Sequence, residues 1–231
     1  MTEIVLQLQD VLKTHQSGVQ KVVALDHVDL TLNKGELVAV MGPSGSGKST
    51  LLNMAGGLDT PDSGKVIING ADIVGLSQEK RAEVRRTQIG YVFQDYNLIP
   101  TLTIAENVGL PLELDGVKEA QAREQAVKGL AELGLESLAD RFPAEVSRGQ
   151  AQRAAIARAL VGEGRLLLAD EPTGALDSGS SEEVMGLLRD RVDHGATGII
   201  VTHESRYAGW ADRVIFIRDG AIVDSTEETV L

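Results

Sequence analysis

The chain has 231 residues, a formal net charge of -12, no cysteine, 42% hydrophobic residues and 3% aromatic residues. The acidic balance disfavours nonspecific binding to nucleic acid or anionic lipid, both of which need a basic surface. The absent cysteines exclude a disulfide frame and thiolate metal sites, and the length suits one large domain or one domain with a lobe, its core built mainly of Leu, Val, Ile and Ala.

The N-terminal stretch Met1 to Gln7 lacks a basic region followed by a long apolar run, so no signal peptide is expected. No apolar run approaches the roughly 20 residues of a membrane-spanning helix, so a membrane part would come from another subunit. Leu25 to Leu32 alternates apolar and polar residues, as does part of Gly64 to Gly70. Alternation predicts antiparallel strands with one wet face. Glu36 to Met41 reads as a buried strand, and Lys48 to Met54 as the start of a helix. Further short apolar runs are Ile89 to Phe93, Leu166 to Ala169, Gly198 to Val201 and Val214 to Ile217. Such runs, separated by helices, predict a mainly parallel sheet covered on both faces. Glu119 to Leu133 and Gln150 to Leu160 are rich in good helix formers. The expected organisation is a single domain, 1–231. Residues 96–160 form a helical lobe inserted into an α/β core of 1–95 and 161–231 with an antiparallel β part.

Between the first buried strand and its helix lies Gly42-Pro43-Ser44-Gly45-Ser46-Gly47-Lys48-Ser49-Thr50. It fits G-x-x-x-x-G-K-[ST], the phosphate-binding loop of nucleotide hydrolases. Glycines let the backbone wrap a phosphate where a β-carbon would intrude, and successive N–H groups form an anion nest. Lys48 adds a point charge for the β- and γ-phosphates, and Ser49 a hydroxyl ligand for Mg²⁺. Average composition makes a chance match in such a chain rarer than roughly one in a hundred.

Arg165-Leu166-Leu167-Leu168-Ala169-Asp170-Glu171 is an apolar strand ending in two carboxylates. A parallel strand delivers such groups to the sheet edge that carries the phosphate loop. There Asp170 would hold Mg²⁺ and Glu171 would polarise the attacking water as general base. Solvated acids capping a strand are the plain alternative, disfavoured by the phosphate loop upstream.

With these parts in order, the chain resembles the ATP-binding cassette (ABC) ATPases along essentially its whole length. Tyr91-Val92-Phe93-Gln94 resembles the Q-loop, whose Gln94 senses Mg²⁺ and the γ-phosphate. Val146-Ser147-Arg148-Gly149-Gln150 and the Ala/Arg-rich run after it resemble the signature segment. Pro172 to Asp177 resembles the D-loop, with Asp177 its acid, and Ile200 to Glu204 the switch segment, with His203 approaching the γ-phosphate. A lone histidine at a strand end is more often a surface or packing residue, but its order and spacing set His203 apart. His27 and His194 show no ligand spacing. The resemblance implies a P-loop NTPase core, ATP and Mg²⁺ as cofactors, and ATPase activity.

It also implies that Ser147, Gly149 and Gln150, at the start of a helix and so at an anion site, complete the nucleotide pocket of a second copy. The expected assembly is a head-to-tail dimer sandwiching two ATP molecules. Two positions depart from the family pattern. Arg148 stands where Gly is usual; its side chain could crowd the neighbouring nucleotide, add a charge to the phosphate site or, as the favoured expectation, point outward harmlessly. His15 stands where an aromatic residue normally stacks on adenine; imidazole can stack with less area, or His15 is a surface residue.

Leu98 to Leu112, Ala55 to Asp59 and Thr173 to Asp177 further resemble the ATPases of MacB- and LolD-like systems. The resemblance implies an ATPase on the cytoplasmic face of the inner membrane, bound peripherally through a permease with few spanning helices. It would drive export or extraction of a peptide, antibiotic, lipoprotein or haem. The alternative is a force-transmitting ATPase for signalling or cell-wall control. A soluble ABC protein acting on DNA or ribosomes fits poorly, lacking a second cassette, a long coiled-coil insertion and a basic surface.

Overall fold

A computed structural model describes residues 3–17, 20–162 and 166–226; Met1, Thr2 and Arg165 are among the residues outside that range. In chain order the elements are β1 (Ile4–Ser17), β2 (Gln20–Asn33), β3 (Leu37–Met41), α1 (Lys48–Ala55), β4 (Ser63–Ile68), β5 (Ala71–Asp72), α2 (Gln78–Gln88), β6 (Ile89–Val92), α3 (Ile104–Leu114), α4 (Glu119–Glu132), α5 (Arg148–Leu160), β7 (Leu166–Asp170), α6 (Ser178–Asp193), β8 (Thr197–Val201), α7 (Ser205–Ala208), β9 (Arg213–Arg218) and β10 (Ala221–Ser225). They form two sheets. One is antiparallel, in the order β2-β1-β4-β5; the other runs β10-β9-β3-β8-β7-β6, parallel except for its edge strand β10.

The central strands β3, β7 and β8 are buried along almost their whole length because each feeds two cores. Leu37 and Ala39 of β3, Leu167 and Ala169 of β7, and Ile200 of β8 join a cluster with residues of α3, α4, α5, α6 and α7. Val38 and Val40, Leu166 and Leu168, and Ile199 and Val201 face the other way, into a cluster shared with α1 and the antiparallel sheet. The period-2 alternation of a strand thus separates two layers that a hydropathy profile shows as one run.

The antiparallel pair corrects one detail of the sequence pattern. Buried Leu25, Val28, Leu30 and Leu32 are not strictly alternate. The extra residue is absorbed where the β1–β2 register shifts, and His27 adopts a left-handed φ of 50. A bulge of this kind restores the inward phase of the strand beyond it. Val22 and Val23, ahead of the alternation, are adjacent in sequence and both about half exposed, at 50% and 46%.

The helices begin at legible signals. Thr103 caps α3 in a reciprocal box with Glu106, and Ser147 caps α5 in the same way with Gln150. α5 therefore starts two residues earlier than its composition indicates. Its buried face is mostly alanine, with Gln152 and Ile156 the large side chains. Small side chains let α5 lie close on β6: a β-carbon at Gly90 would stand 2.0 Å from the Ala159 carbonyl. Asn107, fully buried in α3, bonds backbone groups of Ile99, Leu102 and Thr103 and so fixes the approach to the helix.

Candidate active site

Parallel strands leave their functional residues at one edge. β3 runs into the phosphate loop, β6 into Gln94, β7 into Asp170 and Glu171, and β8 into His203. Asp170 is directly opposite Val201 in the β7–β8 register. A cavity of about 490 Å³ at this edge is lined by His15, Val22, Val23, Ala24, Gly42, Ser44, Gly45, Gly47, Lys48, Ser49, Thr50, Gln94, Asp170, Glu171 and His203. Segments more than 150 residues apart in the chain thus face one space.

The loop depends on its glycines. Gly47, the N-cap of α1, has a φ of 107, and a β-carbon there would stand 2.3 Å from the Ala24 carbonyl. The Lys48 side chain is buried, and its Nζ donates to the carbonyls of Gly42 and Pro43, each at 2.8 Å. The ammonium is thereby held at the mouth of the anion nest, where a phosphate oxygen would exchange for carbonyl contacts. Two loop residues do not line the cavity. Pro43 contributes its carbonyl to Lys48, and Ser46 is buried with its Oγ unpartnered. The Ser46 carbonyl accepts from the Gly220 N–H at 3.0 Å, which ties the loop to the β9–β10 turn.

Asp170 is 7% exposed at the end of β7. Burial raises its carboxyl above the ordinary carboxylate range, and the Glu171 charge adds to this; a hydrogen bond from the Ser49 hydroxyl and the charge of Lys48 oppose it. A desolvated carboxylate beside a hydroxyl, with the Gln94 amide on the same cavity, is a set of hard oxygen donors suited to Mg²⁺. No cluster of three or more His, Cys, Asp or Glu residues suited to a metal exists among the described residues. This donor set therefore fits an ion that keeps water and phosphate oxygens as its other ligands.

Glu171 follows in a left-handed conformation, φ 47, uncommon for a residue other than glycine. Its N–H donates to the Val201 carbonyl, and its carbonyl accepts from the Gly174 N–H. The turn swings its side chain into the cavity, where Oε1 lies 3.2 Å from His203 Nδ1. Three groups expected to act at the γ-phosphate, Gln94, Glu171 and His203, are thus together.

His15 also lines the cavity, its Nε2 3.5 Å from the Thr50 hydroxyl. Its strand partner is Val22, and Thr14 pairs with Val23. Sequence reasoning missed Val22 and Val23. A partial signal was available: adjacent residues of one strand face opposite ways, so at most one of the pair can enter a core, while exposure of both is visible only in the structure.

Ser147, Gly149, Gln150 and Asp177 are absent from the cavity lining. Ser147 and Gln150 are occupied with each other at the exposed start of α5, at 2.8 Å and 3.3 Å. Asp177 caps α6, accepting from the backbone N–H and hydroxyl of Ser180. Arg148 is exposed, and its Nε donates to the Tyr96 hydroxyl at 3.3 Å.

A second, larger cavity of about 760 Å³ opens between α2, β6, α3 and α5. Its walls include Leu58, Phe93, Leu110, Pro111 and Leu114 with Arg85, Arg86 and Arg158. Arg86 bonds the Leu114 carbonyl and the Asp115 carboxylate. Arg85 and Arg158 donate to backbone carbonyls, and neither has an ion-pair partner among the described residues. Leu102 is not part of this cavity. No described helix is long and apolar enough to cross a membrane.

Comparison with known proteins agrees with this geometry. Residues 25–174 match the sequence family described as ABC transporter. The chain is 45% identical over 226 residues to the macrolide export ATP-binding/permease protein MacB of Vibrio parahaemolyticus, and 48% identical over 221 residues to that of Brucella melitensis. These alignments cover 98% and 96% of the chain but 35% and 34% of the relatives, so the chain spans about a third of their length. It is 45% identical to the uncharacterized ABC transporter ATP-binding protein YvrO of Bacillus subtilis, covering 94% of the chain and 95% of that protein. Among solved structures, the dimeric ATP-binding cassette MJ0796 in a post-hydrolysis state with ADP and Pi superposes with a TM-score of 0.94. It is 40% identical and covers 98% of this chain and 100% of that one.

Proposed function

The chain belongs to the ABC transporter family, and on that premise we propose that it is an ATP-hydrolysing subunit that powers a MacB-like export system through a membrane permease. The observation that carries this reading is the convergence of the phosphate loop, Gln94, Asp170, Glu171 and His203 on one cavity. ATP would lie with its phosphates in the nest of loop N–H groups, neutralised by Lys48, and its base against His15, Val22 and Val23. Ser49, Asp170 and Gln94 would hold Mg²⁺, which when bound neutralises phosphate charge. Glu171 orients the attacking water and accepts its proton. His203 holds the Glu171 carboxylate and faces the terminal phosphate.

The second half of the site is assigned to a second copy. Ser147, Gly149 and Gln150 are at the N-terminus of α5, where the first N–H groups lack backbone acceptors within the helix, yet they do not line their own chain's cavity. A head-to-tail pair brings them to the partner's phosphates, with Asp177 between the two sites. In this reading residues 96–160 act as a lobe that moves against the core of 1–95 and 161–231. The permease is expected to insert a short helix into the larger cavity. Its apolar wall and two guanidinium groups without carboxylate partners call for a segment with an apolar side chain and a carboxylate. The protein would then be held peripherally at the cytoplasmic face of the membrane.

The test is ATP-dependent dimerisation of Glu171→Gln chains, followed by light scattering, with wild-type turnover measured in the presence of the permease. A stable ATP dimer of the variant supports the reading. A variant that stays monomeric at saturating ATP overturns it.

A further inference from the structure

Tyr96 runs alongside α5. Its carbonyl accepts from Arg158 Nη2 at 2.7 Å, and the next carbonyl, of Asn97, accepts from Nη1 of the same guanidinium at 2.5 Å. Its hydroxyl meets Arg148 Nε at 3.3 Å, in the first turn of the helix. The rise of an α-helix separates these two arginines by about 15 Å, and Tyr96 spans the interval between them. Tyr96 and Asn97 both have left-handed φ values, 59 and 51, so the segment after Gln94 keeps a specific shape that Arg158 grips.

The covalent neighbours of this contact give it meaning. Two residues before Tyr96 is Gln94, which lines the chain's own nucleotide cavity. One residue before Arg148 is Ser147, the cap of the helix end assigned to the other copy's nucleotide. We propose that the Tyr96–Arg148 bond is a positioning contact that couples the two nucleotide sites of the dimer. It carries the state of the Gln94 loop in one site to the Ser147 end of α5 in the other. Among the described residues, a glycine at 148 would leave Arg158, at the far end of the helix, as the α5 side chain that hydrogen-bonds this loop. The charged donor therefore stiffens the link between two functional segments that lie 52 residues apart in sequence.

This inference rests on the two-copy reading above. The test compares wild type, Tyr96→Phe, Arg148→Gly, Arg148→Lys and the Tyr96→Phe/Arg148→Gly double variant of the full chain. ADP affinity by calorimetry is expected to stay within about twofold of wild type, because neither residue lines the cavity. The maximal ATPase rate of Tyr96→Phe and Arg148→Gly falls about threefold to tenfold, as loss of one hydrogen bond allows. The Hill coefficient for ATP moves towards one. The double variant is no worse than either single variant, since both remove the same bond. Arg148→Lys, which keeps a donor, retains most of the cooperativity. Wild-type rate and Hill coefficient in Tyr96→Phe, multiplying losses in the double variant, or an Arg148→Lys as impaired as Arg148→Gly would each overturn the coupling. Absence of an ATP-driven dimer in the wild type would overturn the two-copy reading and the coupling with it. A normal wild-type dimer with unaffected variants overturns the coupling alone.

Discussion

Glu171 Oε1 and His203 Nδ1 lie 3.2 Å apart, joining residues that follow two adjacent parallel strands, β7 and β8. The left-handed backbone at Glu171 makes the contact possible, because it turns the carboxylate out of the strand direction towards the cavity. A base held from one side by a histidine keeps one oxygen for water. Glu171→Gln preserves size and removes the proton acceptor, so turnover is expected to fall by about 10² or more. ATP binding is retained. Steady-state phosphate release near the wild-type rate would rule Glu171 out as the base.

Among the described residues, Lys48 donates only to backbone carbonyls of its own loop, those of Gly42 and Pro43. Lys48→Ala leaves the phosphate charge uncompensated, and nucleotide affinity measured by calorimetry is expected to drop at least tenfold, the loss of one charge-assisted contact. Unchanged affinity would contradict the loop's assignment.

Asp170 carries a pH signature. Its folded-state carboxyl is raised, mainly by burial, so the folded protein holds this proton more tightly than the unfolded chain. Above the raised value Asp170 is charged in both states, and its burial then costs stability. As pH falls through the raised value, the folded state takes up the proton first and the cost shrinks, vanishing below the ordinary carboxylate value of the unfolded chain. Asp170→Asn should therefore raise the melting temperature of the metal-free protein at neutral pH and lose any stabilisation by Mg²⁺ with nucleotide. A melting temperature below wild type without metal would show that the carboxylate is instead stabilising.

A mixed dimer tests the division of the site between copies. One chain carries Lys48→Ala and the other Ser147→Arg. If each pocket combines Lys48 of one copy with Ser147 of the other, both defects fall on one pocket and the second remains intact. ATP binding at one site per dimer is the expected stoichiometry. Loss of productive binding at both sites would mean that Lys48 and Ser147 serve the same pocket in cis.

Leu114 is 64% exposed on the rim of the larger cavity, whereas Ile104 of the same helix is 1% exposed in the core. Leu114→Glu should melt within about 0.5 kcal/mol of wild type yet fail to copurify with the permease. Ile104→Ala should lose about 2–5 kcal/mol of stability. A strongly destabilised Leu114→Glu would identify the residue as part of the fold and remove the docking assignment.

The features legible in the chain are those that act through local backbone or local period. The phosphate loop is contiguous, and Gly47, Lys48 and Ser49 carry their roles wherever the loop is set. The apolar runs of β3, β7 and β8 announce buried parallel strands, and the acids after β7 announce their edge. Less legible were the features set by phase. The bulge at His27 shifts the burial pattern of β2 by one residue, and a capping box moves the start of α5 to Arg148.

Sequence by itself determined which residues meet at the cavity edge, because parallel strands must end on the same side and so deliver Gln94, Asp170, Glu171 and His203 together. Only the tertiary structure decided where side chains aim across that edge. It set His15 against Thr50, exposed Val22 and Val23 to the cavity, withdrew Ser46 from it, and gave Arg148 the Tyr96 hydroxyl as partner. The reason is that a motif fixes backbone conformation over a few residues. The aim of a long side chain depends on register, bulges and the close seating of α5 on β6, which are settled by contacts between segments far apart in the chain.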